Sequence, residues 1–323
     1  MIHLKSFLFL CFFTLVSQSG LMAQSNKDQL DAIDKDIIKI GSLPGANVAT
    51  ITETITAPYN SKRQKAMAIY CWIGRNISWN IKATKSGDPK NTLPENVVSL
   101  RTSTPLGFAN LFQEMCSQSN IRCLVADGYV KYSIEQIDEM PDQINASWNV
   151  VQLGNTPSEW FYVDAFRSAG SSDKKWMTYT PDFSTMYFFP DKEVFNLEHY
   201  PDNSAWLLSR GPSGLKDFIS KPITGRASYE AVLTGFFPDK GKWKAKPNEK
   251  VRFSLRLQKL PESPLVEMRL SEGNKPAQTF RVNLEGDGND FFIDHVFKKE
   301  TEYQATILIN GKDLITYLFE IEE

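Results

Sequence analysis

Residues 100–129, LRTSTPLGFANLFQEMCSQSNIRCLVADGY, constrain the fold more than any other stretch. They read as a helix that runs directly into a buried strand. Thr104 is placed to cap the helix, and Pro105 suits its first position, where a missing N–H costs nothing. Leu106, Ala109, Phe112 and Cys116 recur at helical spacing, and Phe108, Leu111 and Met115 widen the apolar face. Asn120 is the expected C-cap, and residues 121–130 the expected strand. A helix apolar around most of its girth belongs inside a domain. Its first turn is also where some hydrolases hold a nucleophile.

The chain of 323 residues opens with the pattern of a secretory signal over residues 1–23. Lys5 supplies the positive end, residues 7–16 (FLFLCFFTLV) an apolar core too short to span a bilayer, and the cut is expected near Ala23. No later stretch has the roughly 18 apolar residues of a membrane span. The mature product is therefore expected to be secreted or periplasmic, without a membrane span. A net charge of -2 gives no electrostatic footprint for nucleic acid. Cys71, Cys116 and Cys123 remain after export. They read as small buried hydrophobes, and a Cys116–Cys123 disulfide across the helix-to-strand turn is the alternative.

Helices are expected first: 26–40, a short turn near 50–58, a strong helix capped by Ser61, an extended piece at 77–81, and a short helix over 93–100. The strands 148–153 and 160–165 then form a meander, and residues 186–208 an irregular wrap over the sheet. That order implies α+β for residues 26–208. Residues 209–224 (SRGPSGLKDFISKPIT) read as a linker on their Gly, Pro and Ser content. Beyond it, seven candidate strands (229–237, 251–257, 265–270, 278–284, 291–297, 303–309 and 314–321), broken by turns such as Asn310-Gly311, indicate an immunoglobulin-like β-sandwich over 225–323.

Four stretches carry a family resemblance. They are KAMAIYCWIGRNISWN (65–80), PLGFANLFQEMCSQSNIRCLVADGYVK (105–131), ASWNVV (146–151) with WFYVDAFRSAG (160–170), and YFFPDKEVFNLEHYPDNSAWLL (187–208). Together they resemble the transglutaminase-like superfamily of papain-like fold, in its kyphoscoliosis-peptidase-like branch, whose members often add an immunoglobulin-like domain. The resemblance implies a Cys–His–Asp triad in which a thiolate at a helix N-terminus attacks, a His carries the proton and an Asp orients that His. Carried over residue by residue, the Cys position falls on Pro105, two before Gly107, and the His position on Ala146, two before Trp148. The Asp position falls on Asp164. Two of the three groups are missing, and Pro105 has no N–H to offer an oxyanion.

No other residue replaces them. Cys116 lies about 16 Å further along the helix axis, at ~1.5 Å per residue. Thr102, Ser103 and Thr104 need a base, and the mature chain offers only His199, expected in a structural hydrogen bond within the wrap, and His295 in the second domain. Asp164 is expected to bond backbone or a Trp indole. The run of Lys240 to Lys246 reads as a solvated hairpin loop, with an acidic-ligand grip as its alternative. Asp287, Asn289 and Asp290 read as a turn rather than a calcium loop. No spacing indicates a metal site, and no Gly-rich loop a nucleotide or other cofactor. The expectation is an exported protein whose triad is degenerate. It would bind a polypeptide or cell-envelope polymer around Thr104, Gly107, Trp148 and Asp164. An active enzyme with a relocated nucleophile and a purely structural protein are the alternatives.

Overall fold

The computed structural model describes residues 28–173, 177–273 and 275–323. The expected signal peptide over 1–23 and its cut near Ala23 lie outside the described residues. The chain divides into two compact units, one of residues up to 123 with 165–188, the other of 124–164 with 189–323.

The first unit is helical. After a helix over 28–40, α1 (Val48–Thr56) begins at Asn47, whose side chain accepts from Thr50 N. Only a short turn is expected here, because Thr-rich segments disfavour helix. The segment holds because Val48, Ile51 and Ile55 fall on one buried face. In addition, the Thr52, Thr54 and Thr56 hydroxyls donate to the carbonyls four residues back at 2.7–2.8 Å. The helix α2 (Lys62–Asn76) starts with a Ser61–Gln64 capping box and is buried at every position from Ala66 to Gly74. A Cβ on Gly74 would sit 2.7 Å from the Phe183 ring and from Ser168 Oγ, so only glycine allows that approach.

Residues 77–81 are extended only over Ser78–Trp79, which pairs in parallel with Thr102–Ser103. Asn80 then caps a short helix, Ile81–Ser86. The central helix α3 (Pro105–Gln118) ends on Ser119 rather than Asn120. Asn120 instead takes the left-handed position just beyond, with φ +57°.

The second unit carries a four-stranded sheet in the order β3-β2-β1-β4: β1 (Arg122–Val130), β2 (Ala146–Gln152), β3 (Trp160–Val163) and β4 (His199–Pro201). The β2–β3 pairing sets Asn149 opposite Val163 and Gln152 opposite Trp160. The segment 186–208, expected as an irregular wrap, instead forms α4 (Lys192–Glu198) and the edge strand β4. Asp191 caps α4 through Glu193 N and Val194 N, and Val194 and Phe195 are buried. The strand β4 pairs antiparallel to β1, with His199 opposite Val130. Gly128 permits it, because a Cβ there would meet Tyr200 O at 2.3 Å.

The segment 209–224 is built into this unit. Leu215–Ser220 is helical with Phe218 and Ile219 buried. Ile223–Thr224 pairs with a sandwich strand. Its Gly-Pro-Ser-Gly start gives the breaker signal, but the apolar spacing of Leu215, Phe218 and Ile219 prevails.

The sandwich strands are β5 (Leu233–Phe237), β6 (Lys242–Ala245), β7 (Lys250–Leu257), β8 (Val266–Glu272), β9 (Gln278–Arg281), β10 (Glu285–Asp287), β11 (Asp290–Val296), β12 (Glu302–Ile309) and β13 (Lys312–Ile321). One sheet runs β5-β7-β11-β10. The other runs β6-β13-β12-β8-β9, with Ile223–Thr224 added to β13. Asn310 and Gly311 both have positive φ (51° and 73°), as a tight hairpin turn requires. Three readings change. The strand expected over 278–284 ends at Arg281, and residues 285–287 form the separate strand β10. Residues 226–230 are helical, so β5 starts at Leu233 rather than at residue 229. The lysine run is an edge strand rather than a loop. Lys242 and Lys244 point outward along β6, Trp243 packs toward the core, and β6 pairs in parallel with β13. Lysines on an exposed edge discourage further strand pairing.

Candidate functional site

The first turn of α3 holds Pro105, the expected nucleophile position. Pro105 is its first residue and is buried; Thr104 Oγ1 accepts from Gly107 N at 3.3 Å. The turn is fixed from below by polar bonds. Ser103 Oγ donates to Asn91 O at 2.9 Å, Asn110 Nδ2 to Thr92 O at 3.0 Å, and Asn91 Nδ2 to Asp88 at 3.0 Å. Gly107 is where the helix meets this loop: a Cβ there would lie 2.1 Å from Ser103 Oγ and 2.2 Å from Asn91 O. Gly107 is thus fixed by close packing.

The other positions stand in the second unit. Ala146 opens β2, and its buried methyl group can neither take nor give a proton. Its neighbour Ser147 donates to Asp127 Oδ1 at 2.6 Å. Trp148 is buried, and its Nε1 has no hydrogen-bond partner among the described residues.

Asp164 follows β3, and its Oδ2 lies 3.0 Å from His199 Nε2. The pair is enclosed: Asp164 is 2% exposed and His199 0%. The partner is therefore a side-chain imidazole, whereas a Trp indole or backbone was expected. His199 stacks on Phe195 with centroids 3.8 Å apart and planes within 6°, and Trp148 meets it edge-on at 5.2 Å. Tyr162 stacks on Phe195 in turn at 4.2 Å. Its hydroxyl lies 2.8 Å from Asn196 Oδ1 and from Trp206 O, and accepts from Leu208 N. Burial pushes that phenol above its ordinary pKa. The imidazole is thus held by Asp164, walled in by rings and without exposed surface.

Sequence reasoning placed Asp164 and the hydrogen-bonding role of His199 separately. It did not join them. The available signal was the His-Tyr-Pro tripeptide directly after an apolar helical turn, which a strand placed beside β1 would bring to the sheet.

Cys71, Cys116 and Cys123 are all buried free thiols. Burial holds the Cys71 and Cys116 thiols well above the ordinary thiol range, so neither is a ready nucleophile. Lys131, at the end of the β1 region, donates from Nζ to Phe218 O at 2.8 Å and to Lys221 O at 2.6 Å. Burial lowers its pKa to about 7.

Among the described residues no group of three His, Cys, Asp or Glu is placed to hold a metal, and no helix is long and apolar enough to cross a membrane. Asp290 is engaged by Arg256 at 2.7 and 3.2 Å, and Asn289 donates to Gln258 at 3.0 Å, as in a braced turn. The second unit also has an open recess of about 650 Å³ lined by Phe161, Phe189, Lys192 and Arg210 among others. The two Phe rings are 4.8 Å apart, and Lys192 Nζ lies 5.2 Å over Phe161.

Residues 49–165 match the family model described as the transglutaminase-like superfamily. Kyphoscoliosis peptidase of Mus musculus is 26% identical over 181 residues, covering 56% of this chain and 27% of its own. The Homo sapiens protein of that name is 26% identical over 177 residues, covering 54% and 26%. The Lim and transglutaminase domain protein ltd-1 of Caenorhabditis elegans is 25% identical over 220 residues, covering 61% and 28%. The chain thus spans about a quarter of the length of these relatives. A solved structure titled "Crystal structure of a TGase" is 14% identical with a TM-score of 0.27, covering 43% of this chain and 33% of its own.

Proposed function

Because this chain carries a transglutaminase-like domain related to that of the kyphoscoliosis peptidases, we propose that it is an exported member of the superfamily that has lost thiol chemistry and works by binding a polypeptide or cell-envelope polymer. What supports this reading is the set of residues at the expected triad positions. Pro105 stands at the expected thiol position and Ala146 at the expected His position, and the Asp164 carboxylate is bonded to His199 in a closed aromatic stack. The apolar stretch behind Lys5 supports export, testable by fractionating cells that express the full chain.

Thr104, Gly107, Trp148 and Asp164 are buried and frame the fold. Ligand contact then falls to surface features such as the recess beside Phe161, where ring faces lie next to cations.

The purified protein is assayed for casein cleavage and for amine incorporation into casein, and for co-sedimentation with a peptide-crosslinked cell-wall polymer. No turnover is expected, and binding that weakens in Phe161→Ala supports the reading. Turnover abolished by His199→Ala would overturn it. The alternative, an enzyme with a relocated nucleophile, draws on the Asp164–His199 pair itself, an oriented imidazole on the correct sheet.

A further inference from the structure

The end of α3 and the start of β1 bring two cysteines together. Ser119 N and Ile121 N both donate to Cys116 O, at 3.0 and 2.9 Å, which folds the chain back sharply after the helix. Gln113, one turn before Cys116, donates from Nε2 to Cys123 O at 3.1 Å, so the same helix face looks onto residue 123. The Cys116 and Cys123 thiols are within hydrogen-bonding reach of each other. Both are shielded, at 0% and 8% exposure. The other thiol among the described residues, Cys71, sits on α2 with Asp34, Asp31 and Arg75 as its charged neighbours.

We propose that Cys116 and Cys123 are a disulfide-forming pair that staples the C-terminal end of α3 to β1 when the chain folds in an oxidising compartment. The reagent is a disulfide, either a small one such as oxidised glutathione or the active-site disulfide of an exchange protein. One thiolate attacks a reagent sulfur and expels the first reagent thiol. The second protein thiolate then attacks the mixed disulfide and expels the other. The protein loses two protons and two electrons, and the reagent leaves as two thiols. The S–S bond of ~2.05 Å needs the two neighbouring side chains to close up on one another. Because both sulfurs are buried in the folded chain, bond formation accompanies folding, and the finished bond is sheltered from reductant.

The compartment comes from the export reading, and the test is independent of it. Full-length protein is unfolded, refolded in oxidised and reduced glutathione at an oxidising ratio, alkylated under denaturing conditions and digested with trypsin. Arg122 lies between the two cysteines, so a bond joins peptides 102–122 and 123–131 in one reducible mass. That mass is expected in the wild type and in Cys71→Ser, and absent in Cys123→Ser. The oxidised protein should melt about 5 °C above the reduced one. Its bond should resist dithiothreitol until denaturant is added. Alkylation of Cys116 and Cys123 after oxidative refolding, or a linked peptide that contains Cys71 instead, overturns the proposal. Cytoplasmic retention of the chain would overturn export and leave the peptide map unchanged.

Discussion

His199 Nε2 and Asp164 Oδ2 lie 3.0 Å apart in an interior closed by Phe195 and Trp148, on a strand pairing that sets His199 opposite Val130. The Asp164 carboxylate thereby fastens an edge strand to its sheet.

Breaking that pair should cost stability. Asp164→Ala removes the acceptor from a buried imidazole, and about 3 kcal/mol is expected. Urea unfolding followed by intrinsic fluorescence measures it. A loss below about 1 kcal/mol would show that the pair contributes little cohesion.

Gly107 tests close packing. Gly107→Ala puts a Cβ into Ser103 Oγ and Asn91 O, and about 1–3 kcal/mol of destabilisation is expected. Leu106→Ala, at a 37% exposed neighbour, should stay within about 1 kcal/mol. Thermal melts of both variants decide it, and equal costs would contradict the contact.

Lys131 gives the pH dependence. Its folded pKa, lowered to about 7 by burial, lies below the unfolded value near 10.4. Between these values the unfolded chain binds more protons, so stability rises with pH. The neutral amine keeps two N–H groups, enough for Phe218 O and Lys221 O. The wild type should therefore gain stability over Lys131→Met as pH goes from 6 to 9. At every pH the variant should show faster amide exchange in 215–221. Parallel pH profiles would refute the buried-amine account.

Much of this was legible in sequence where one physical signal dominated. The Ser61 cap, the Thr104-Pro105 start of α3 and the Asn310-Gly311 turn each follow from local backbone chemistry. The α+β order and the β-sandwich followed from the change of periodicity. What escaped depends on neighbours distant in the chain. The β4 strand forms because β1 offers Gly128 and Val130 to pair with. The lysine-rich β6 is a strand because β13 pairs with it. Residues 209–224 are ordered because Lys131 and β13 take up their backbone groups. The same applies to the site: Asp164 was identified by motif, but its partner is decided by the sheet.

The strand β13 has a consequence for the order of assembly. It is hydrogen-bonded to β12, to β6 and to Ile223–Thr224, and the last two leave the ribosome long before their partner. Until residues 312–321 arrive, those two segments have no ladder to join. The carbonyls that Lys131 grips at Phe218 and Lys221 lie immediately before Ile223–Thr224. Maturation of the sheet that carries Asp164 and His199 is therefore tied to a segment translated far downstream, so an interrupted chain would carry these residues without a settled fold.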